Sequence, residues 1–338
     1  MIKIAVSTIY GPVPSWRLGR SLGIDPLLPP KTCTFDCIYC QLGTTVNKIS
    51  SPESLKARVK VSKVLEDLKE ALRRIALESI DYVTFSGVGE PTLNLELGEM
   101  ITQVKKIVGK IPVAVLTNAS LVNHRNVREN LEKADLIVAK LDAPNQRLFE
   151  TINRPAKGLA LDTIVEGLKA LRREVHGKLA LQIMFIESTD GTEYNTQPSD
   201  VEALIKLASA ISPDEVEVNT PTRPLSEPYV QNVSSERIKE IAAKFERVLS
   251  GIKIVSRTSP TLHREAKKKS QALELEILGL LSRRPCNSED LVRITGAAKK
   301  QVDTCLNQLM NSGSIASVQF DGKQYYRLAS AKKDKQTD

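Results

Sequence analysis

The stretch Pro30-Lys-Thr-Cys-Thr-Phe-Asp-Cys-Ile-Tyr-Cys-Gln-Leu-Gly43 holds three of the chain's five cysteines, Cys33, Cys37 and Cys40, within eight residues. Cys286 and Cys305 lie far downstream. Gaps of three and two residues let an irregular loop wrap three thiolates around one centre. Thiolates favour zinc, copper(I) or an iron–sulfur cluster. Structural zinc usually joins two cysteine pairs, and no further Cys or His lies close enough to supply the second. A 4Fe–4S cube normally takes four cysteines. With three, one iron keeps an open coordination position, and open positions are where chemistry occurs.

Outward from this loop the chain alternates. Tyr10–Ile24 is punctuated by Gly and Pro and too irregular for a helix, and Leu22–Asp25 reads as the strand that delivers the cysteines. Ile2–Val6 reads as a short opening strand. Helical periodicity over Val61–Leu77, Leu95–Val108, Val122–Lys133, Ala160–Arg173 and Asp200–Ala210 leads in turn to β-rich runs. Those runs are Tyr82–Phe85, Pro112–Thr117, Leu136–Leu141, Leu179–Ile186 and Glu215–Val218. A last helix begins at Ser235, and Ile252–Val255 reads as one more strand. Strands separated by helices of this length are βα units of a parallel sheet. Six units predict an α/β fold, a partial (β/α)6 TIM-like barrel, with functional residues at the carboxyl ends of its strands.

The cysteine spacing, with Tyr39 just before the last thiol, resembles the defining motif of the radical S-adenosylmethionine (radical SAM) superfamily. The resemblance implies a 4Fe–4S cluster on Cys33, Cys37 and Cys40 and S-adenosylmethionine chelated at the open iron, with Tyr39 beside it. It further implies reductive cleavage to a 5'-deoxyadenosyl radical, and an electron donor such as ferredoxin or flavodoxin. Ser86-Gly-Val-Gly-Glu-Pro-Thr92 resembles the superfamily's Gly-Gly-Glu motif, with Val88 in place of its first glycine. By that resemblance Gly87, Gly89 and Glu90 bind the methionine amino group. Leu116-Thr-Asn-Ala-Ser120 is similar to the Thr-Asn-Gly motif, ending on Ala119, and implies that Thr117 and Asn118 face cofactor and substrate. A helix N-cap is the competing role for Asn118 or Ser120. Period-two alternation puts Lys140 and Asp142 on one side of their strand, and the resemblance gives Asp142 the ribose hydroxyls. Arg17, Arg154 and Arg223 stand at strand ends, where they suit a phosphate or carboxylate substrate.

Length fits one large domain or two. The expected units are the barrel (1–250), a basic linker (251–270), a winged helix-turn-helix (271–330) and a charged tail (331–338). The winged helix follows from helices near Glu274–Leu281, Asn287 onward and Ala297–Met310, then a hairpin turning at Asp321-Gly322. Residues 259–338 carry 14 Lys and Arg against 9 Asp and Glu, most of the chain's net +8. Such a module grips nucleic acid, with Lys299 and Lys300 on its third helix, or docks a protein. No apolar run is long enough for a membrane span, and the first twenty residues are too polar for a signal peptide. Clustered, unpaired cysteines fit a reducing, cytoplasmic location.

Over about residues 5–225 the resemblance runs to the branch related to the tRNA wyosine (imidazoguanine) synthase. That enzyme's second-cluster cysteines have no counterpart before Cys33. The expected function is hydrogen abstraction from a substrate such as a tRNA base. The alternatives are an activase or maturase acting on a protein side chain, and an iron–sulfur transcription regulator. A regulator would keep the three cysteines without needing Gly89, Asn118 and Asp142.

Overall fold

Branched aliphatic residues such as Val113, Val115, Ile137 and Val138 are buried in strands covered by helices, as parallel sheets require. The computed structural model describes residues 7–256 and 273–329. The expected strand Ile2–Val6, residues 257–270 of the basic linker and the charged tail lie outside the described residues, while 253–256 of the expected linker are strand.

Strands β1 (Ile9–Ser15) and β2 (Gly19–Ile24) form an antiparallel pair. To β2 are added, in parallel and in chain order, β3 (Tyr82–Phe85), β4 (Val113–Thr117), β5 (Leu136–Lys140), β6 (Lys178–Met184), β7 (Glu215–Asn219) and β8 (Lys253–Ser256). Each strand neighbours the next in sequence, which is how a barrel is wound, and β1 and β8 end the sheet without pairing to each other. The covering helices are α1 (Val61–Leu72), α2 (Leu97–Val108), α3 (Arg125–Leu131), α4 (Gln146–Asn153), α5 (Leu161–Glu174), α6 (Pro198–Ile211) and α7 (Ser235–Val248). In α1 the buried residues Val64, Leu68 and Ala71 recur at helical spacing, so one stripe faces the sheet.

Six βα units stand as expected, with β8 as a seventh parallel strand. Two segments differ from the sequence reading. The Gly/Pro-rich run Tyr10–Ile24 is strand over Tyr10–Ser15 (β1) and Gly19–Ile24 (β2), with Pro12 and Pro14 tolerated in β1 because it is a sheet edge. Ile152 and Asn153, which carry no helix signal in the sequence, end helix α4, whose N-terminus is capped by Asn145 Oδ1 accepting from Leu148 N at 2.9 Å.

Beyond residue 272 stand α8 (Leu273–Leu281), α9 (Ser288–Thr295), α10 (Lys299–Asn311) and the hairpin β9 (Ile315–Phe320) and β10 (Lys323–Leu328). Asn287 Oδ1 accepts from Asp290 N at 2.7 Å to cap α9. Asp321 and Gly322 both take positive φ, as a two-residue turn matching strand twist requires. Ile277, Leu280, Leu291, Ile294, Val302 and Leu306 make a second core, and Tyr10 and Val13 of β1 pack against it. The C-terminal unit therefore sits on the strand ends, beside the carboxyl end of β2.

Candidate active site

The cysteine loop leaves the carboxyl end of β2 and is fastened at both ends. Asp36 N and Ile38 N donate to Asn153 O and Ile152 O at 3.0 Å each, so the end of α4 clamps it from one side. From the other, Thr32 pairs with the glycine loop after β3: Thr32 N donates to Val88 O at 3.0 Å, and Glu90 N to Thr32 O at 3.2 Å. Gly89 is required there. Its φ is +149°, and a Cβ would stand 1.7 Å from Thr32 O. A Cβ on Gly87 would stand 2.2 Å from the Asp25 carboxylate. The glycines therefore serve contact between the two loops as well as any ligand in front of them.

Glu90 is buried, and its carboxylate is fully engaged. It accepts from Thr117 Oγ1 and Asn118 N at 2.6 Å each, and from Thr92 N and Oγ1 at 3.1 and 2.7 Å. Burial still holds its pKa above the usual carboxylate value despite these donors. Asn118 points at the cysteine loop: its Nδ2 lies 2.7 Å from Thr34 Oγ1 and 3.5 Å from Cys33 Sγ. Its Oδ1 accepts from Ser120 N at 3.0 Å. Ala119, where the related motif has glycine, takes φ +64°, a conformation glycine adopts more easily.

Asp142 stands behind this surface rather than on it. The Tyr39 hydroxyl donates to its Oδ2, Asn153 Nδ2 donates to the same oxygen at 2.9 Å, and Met184 N donates to Oδ1 at 2.9 Å. Its partner by alternation, Lys140, lies 3.9 Å from Oδ1 with the ammonium over the Tyr39 ring, 4.9 Å from the centroid. Lys140 and Tyr39 line the cavity described next; Asp142 is not among its lining residues.

A cavity of about 630 Å³ opens at the strand ends. Cys33, Cys37 and Cys40 line it together with Gly87, Gly89, Glu90, Thr117 and Asn118. The opposite wall comes from the C-terminal unit, including Arg283, Arg284 and Arg293. Of the cysteines, cofactor residues and arginines selected in the sequence, all but Asp142 and Arg154 line this one space.

Comparison with known proteins settles the family. The family model described as the Radical SAM superfamily matches residues 27–193. A UPF0026 protein of Methanocaldococcus jannaschii is 33% identical over 329 residues, 96% of this chain and 97% of that one. A UPF0026 protein of Synechocystis is 38% identical over 269 residues, 80% of this chain and 94% of its own length. The chain belongs to the radical SAM superfamily, among its UPF0026 proteins. Its fold is similar to that of Streptococcus suis SuiB bound to the precursor peptide SuiA. The TM-score is 0.50 at 16% identity, over 69% of this chain and 49% of that one, a likeness of fold alone.

Membership implies a 4Fe–4S cluster and S-adenosylmethionine, and the donor set of this radical SAM protein fits the cluster. The three cysteines are free. Each sulfur has a nitrogen donor from a different place: Lys31 Nζ at 3.1 Å from Cys40, Asn118 Nδ2 at 3.5 Å from Cys33, and Asn153 Nδ2 at 3.5 Å from Cys37. Donors of this kind stabilise thiolate and tune a cluster. Burial pushes the Cys37 thiol up to about 11 and Cys33 well above its usual range, so both need a cation to hold them as thiolates. Among the described residues no three His, Cys, Asp or Glu side chains close on a single ion. Lys31 and Asn153 were missed in the sequence; Asn153 sits one residue past Ile152, on a helix too short to read.

The arginines expected to await an anion are largely committed. Arg17 Nη1 donates to Glu217 at 2.5 Å, and Arg154 pairs with Glu227 and donates to Tyr229 Oη at 3.0 Å. Arg223 Nε donates to Pro285 O at 3.2 Å. Long-range partners such as Glu217, 200 residues from Arg17, leave no local trace in sequence. Among the described residues no helix is long and apolar enough to cross a membrane.

Proposed function

We propose that the chain is a radical SAM enzyme, with a 4Fe–4S cluster on Cys33, Cys37 and Cys40, acting on a substrate enclosed between the barrel and the C-terminal unit. Reduced by a donor such as ferredoxin or flavodoxin, the bound cluster and S-adenosylmethionine supply a 5'-deoxyadenosyl radical that takes hydrogen from the substrate. The observation that carries this reading is the shared cavity: the cysteines, the glycine loop and the Thr117-Asn118 loop all face it. Lys31, Asn118 and Asn153 hold donors toward the three sulfurs. Glu90 ties the glycine loop to the end of β4, fixing the wall on which the methionine end rests. Asp142 holds Tyr39, and so acts on the site from behind. The C-terminal wall limits water, which protects a reactive intermediate.

The substrate class best supported is a tRNA base, in keeping with the wyosine-related branch. Residues 271–330 then serve as a winged helix gripping RNA, beyond a basic linker and with 1–250 as the catalytic barrel. On α10 the exposed residues Lys299, Lys300, Gln301, Thr304, Asn307 and Gln308 are polar, with no acid among them. That face suits a phosphate backbone.

The test is anaerobic reconstitution with iron and sulfide, reduction, and measurement of 5'-deoxyadenosine formed from S-adenosylmethionine. Wild-type protein forms it; Cys37→Ala holds less iron and forms none. A Cys37→Ala protein with full iron and full activity would sink the reading.

A further inference from the structure

Among the described residues, four buried side-chain nitrogens lack a hydrogen-bond partner: Arg17 Nε, Lys140 Nζ, and Nε and Nη2 of Arg284. All belong to cations that line the one cavity described above. Its lining holds eight Lys and Arg against three Asp and Glu. Buried polar groups are ordinarily paired, so cationic N–H groups left without a hydrogen-bond acceptor around one space point to an acceptor that enters it, although Arg17 and Lys140 each have a carboxylate within ion-pair range.

Arg284 is the sharpest case. Its side chain is 9% exposed, and its two unpartnered nitrogens are the pair whose N–H bonds run parallel along one edge of the guanidinium. That edge matches two oxygens of one oxyanion. Asp290 Oδ2 lies 3.7 Å from Arg284 Nη2 and 3.6 Å from Arg223 Nη2, within ion-pair range but too far for a good hydrogen bond to either. One carboxylate thus stands between two guanidinium groups, Arg223 from the barrel side and Arg284 from the C-terminal unit.

We propose that Arg284 and Arg223 form a phosphate subsite for the substrate, with Asp290 as the group that a substrate phosphate displaces. A phosphate carries up to two charges and several acceptor oxygens, so two of them can fill the unpartnered edge of Arg284, which the Asp290 carboxylate at 3.7 Å does not reach. The subsite makes the C-terminal unit part of substrate recognition inside the cavity, separate from any grip on RNA through α10. It rests on the enclosed-site reading given above, and it makes the substrate one that carries a phosphate.

The experiment is calorimetric titration of inorganic phosphate into full-length, anaerobically reconstituted protein saturated with S-adenosylmethionine. Acetate is titrated in parallel as the carboxylate alternative. One saturable phosphate site is expected, with acetate binding more weakly. Arg284→Lys keeps the charge but loses the parallel pair, and should weaken phosphate about tenfold, a loss of about 1.4 kcal/mol. Asp290→Asn removes the competitor and should tighten phosphate several-fold. No saturable phosphate site in wild type, acetate binding as tightly as phosphate, or an affinity unmoved by Asp290→Asn would each overturn the subsite. If Arg284→Lys does not fold, Asp290→Asn alone decides. Production of 5'-deoxyadenosine by wild type is scored separately, so failure of the enzyme reading is distinguishable from failure of the subsite.

Discussion

Arg283 Nε lies 3.0 Å from Asp25 Oδ2, across 258 residues, and both side chains are 1% exposed. The other Asp25 oxygen accepts from Leu27 N and Leu28 N at 3.1 and 3.3 Å, at the root of the cysteine loop. Arg283 also donates to Ser7 O at 2.7 Å and lies over the Tyr10 ring. One side chain of the C-terminal unit thus reaches the backbone that carries the three cysteines. Removing one partner of a buried pair leaves a charge uncompensated, at about 3–5 kcal/mol. Arg283→Met should lower stability by that order in denaturant titrations and reduce iron retained after reconstitution. A loss under about 1 kcal/mol would mean that the pair is solvated.

Gly89→Ala places a methyl against Thr32 O, and the two loops must part to admit it. The variant should lose most of its iron and its affinity for S-adenosylmethionine. Gly109→Ala is the control. It has φ +65° with nothing within 4 Å of a built Cβ, so only backbone strain of about 1–2 kcal/mol is expected. Iron content should separate the two variants.

Asp142→Asn distinguishes support from direct contact. Two of the three donors to its carboxylate come from Tyr39 and Asn153, next to the cysteines. An amide in its place accepts fewer bonds, and a buried donor left unpaired costs about 1–3 kcal/mol. Thermal stability should fall while the dissociation constant for S-adenosylmethionine stays within a few-fold. Unchanged stability with a large rise in that constant would place Asp142 on the cofactor itself.

Lys299→Ala with Lys300→Ala should weaken tRNA binding and reduce the slope of log affinity against log salt by about 1.4–1.8, the loss of two phosphate contacts. An unchanged slope would remove α10 from the RNA surface.

The part of the site written contiguously was legible. The cysteine loop, Gly87 to Glu90 and Thr117-Asn118 each lie on one short stretch, and alternation of strands and helices placed them at the same end of the sheet. The φ of +64° at Ala119 and the Thr32 carbonyl against Gly89 then explain why small residues stand there. What stayed hidden depends on partners far apart in the chain. Asn153 reaches Cys37 across 116 residues, and Arg283 reaches Asp25 across 258. No periodicity encodes such meetings. Edge strand β1 was obscured because prolines that would break a central strand are admitted at an edge.

Because Tyr10 and Val13 lean on the second core and Asp25 depends on Arg283, the chain beyond residue 272 cannot be trimmed away as a detachable handle. A shortened chain would bare an oily strip on its first strand and strand a carboxylate beneath the metal ligands. Any drop in turnover would then report damage to the iron site before it reported a lost grip on the substrate.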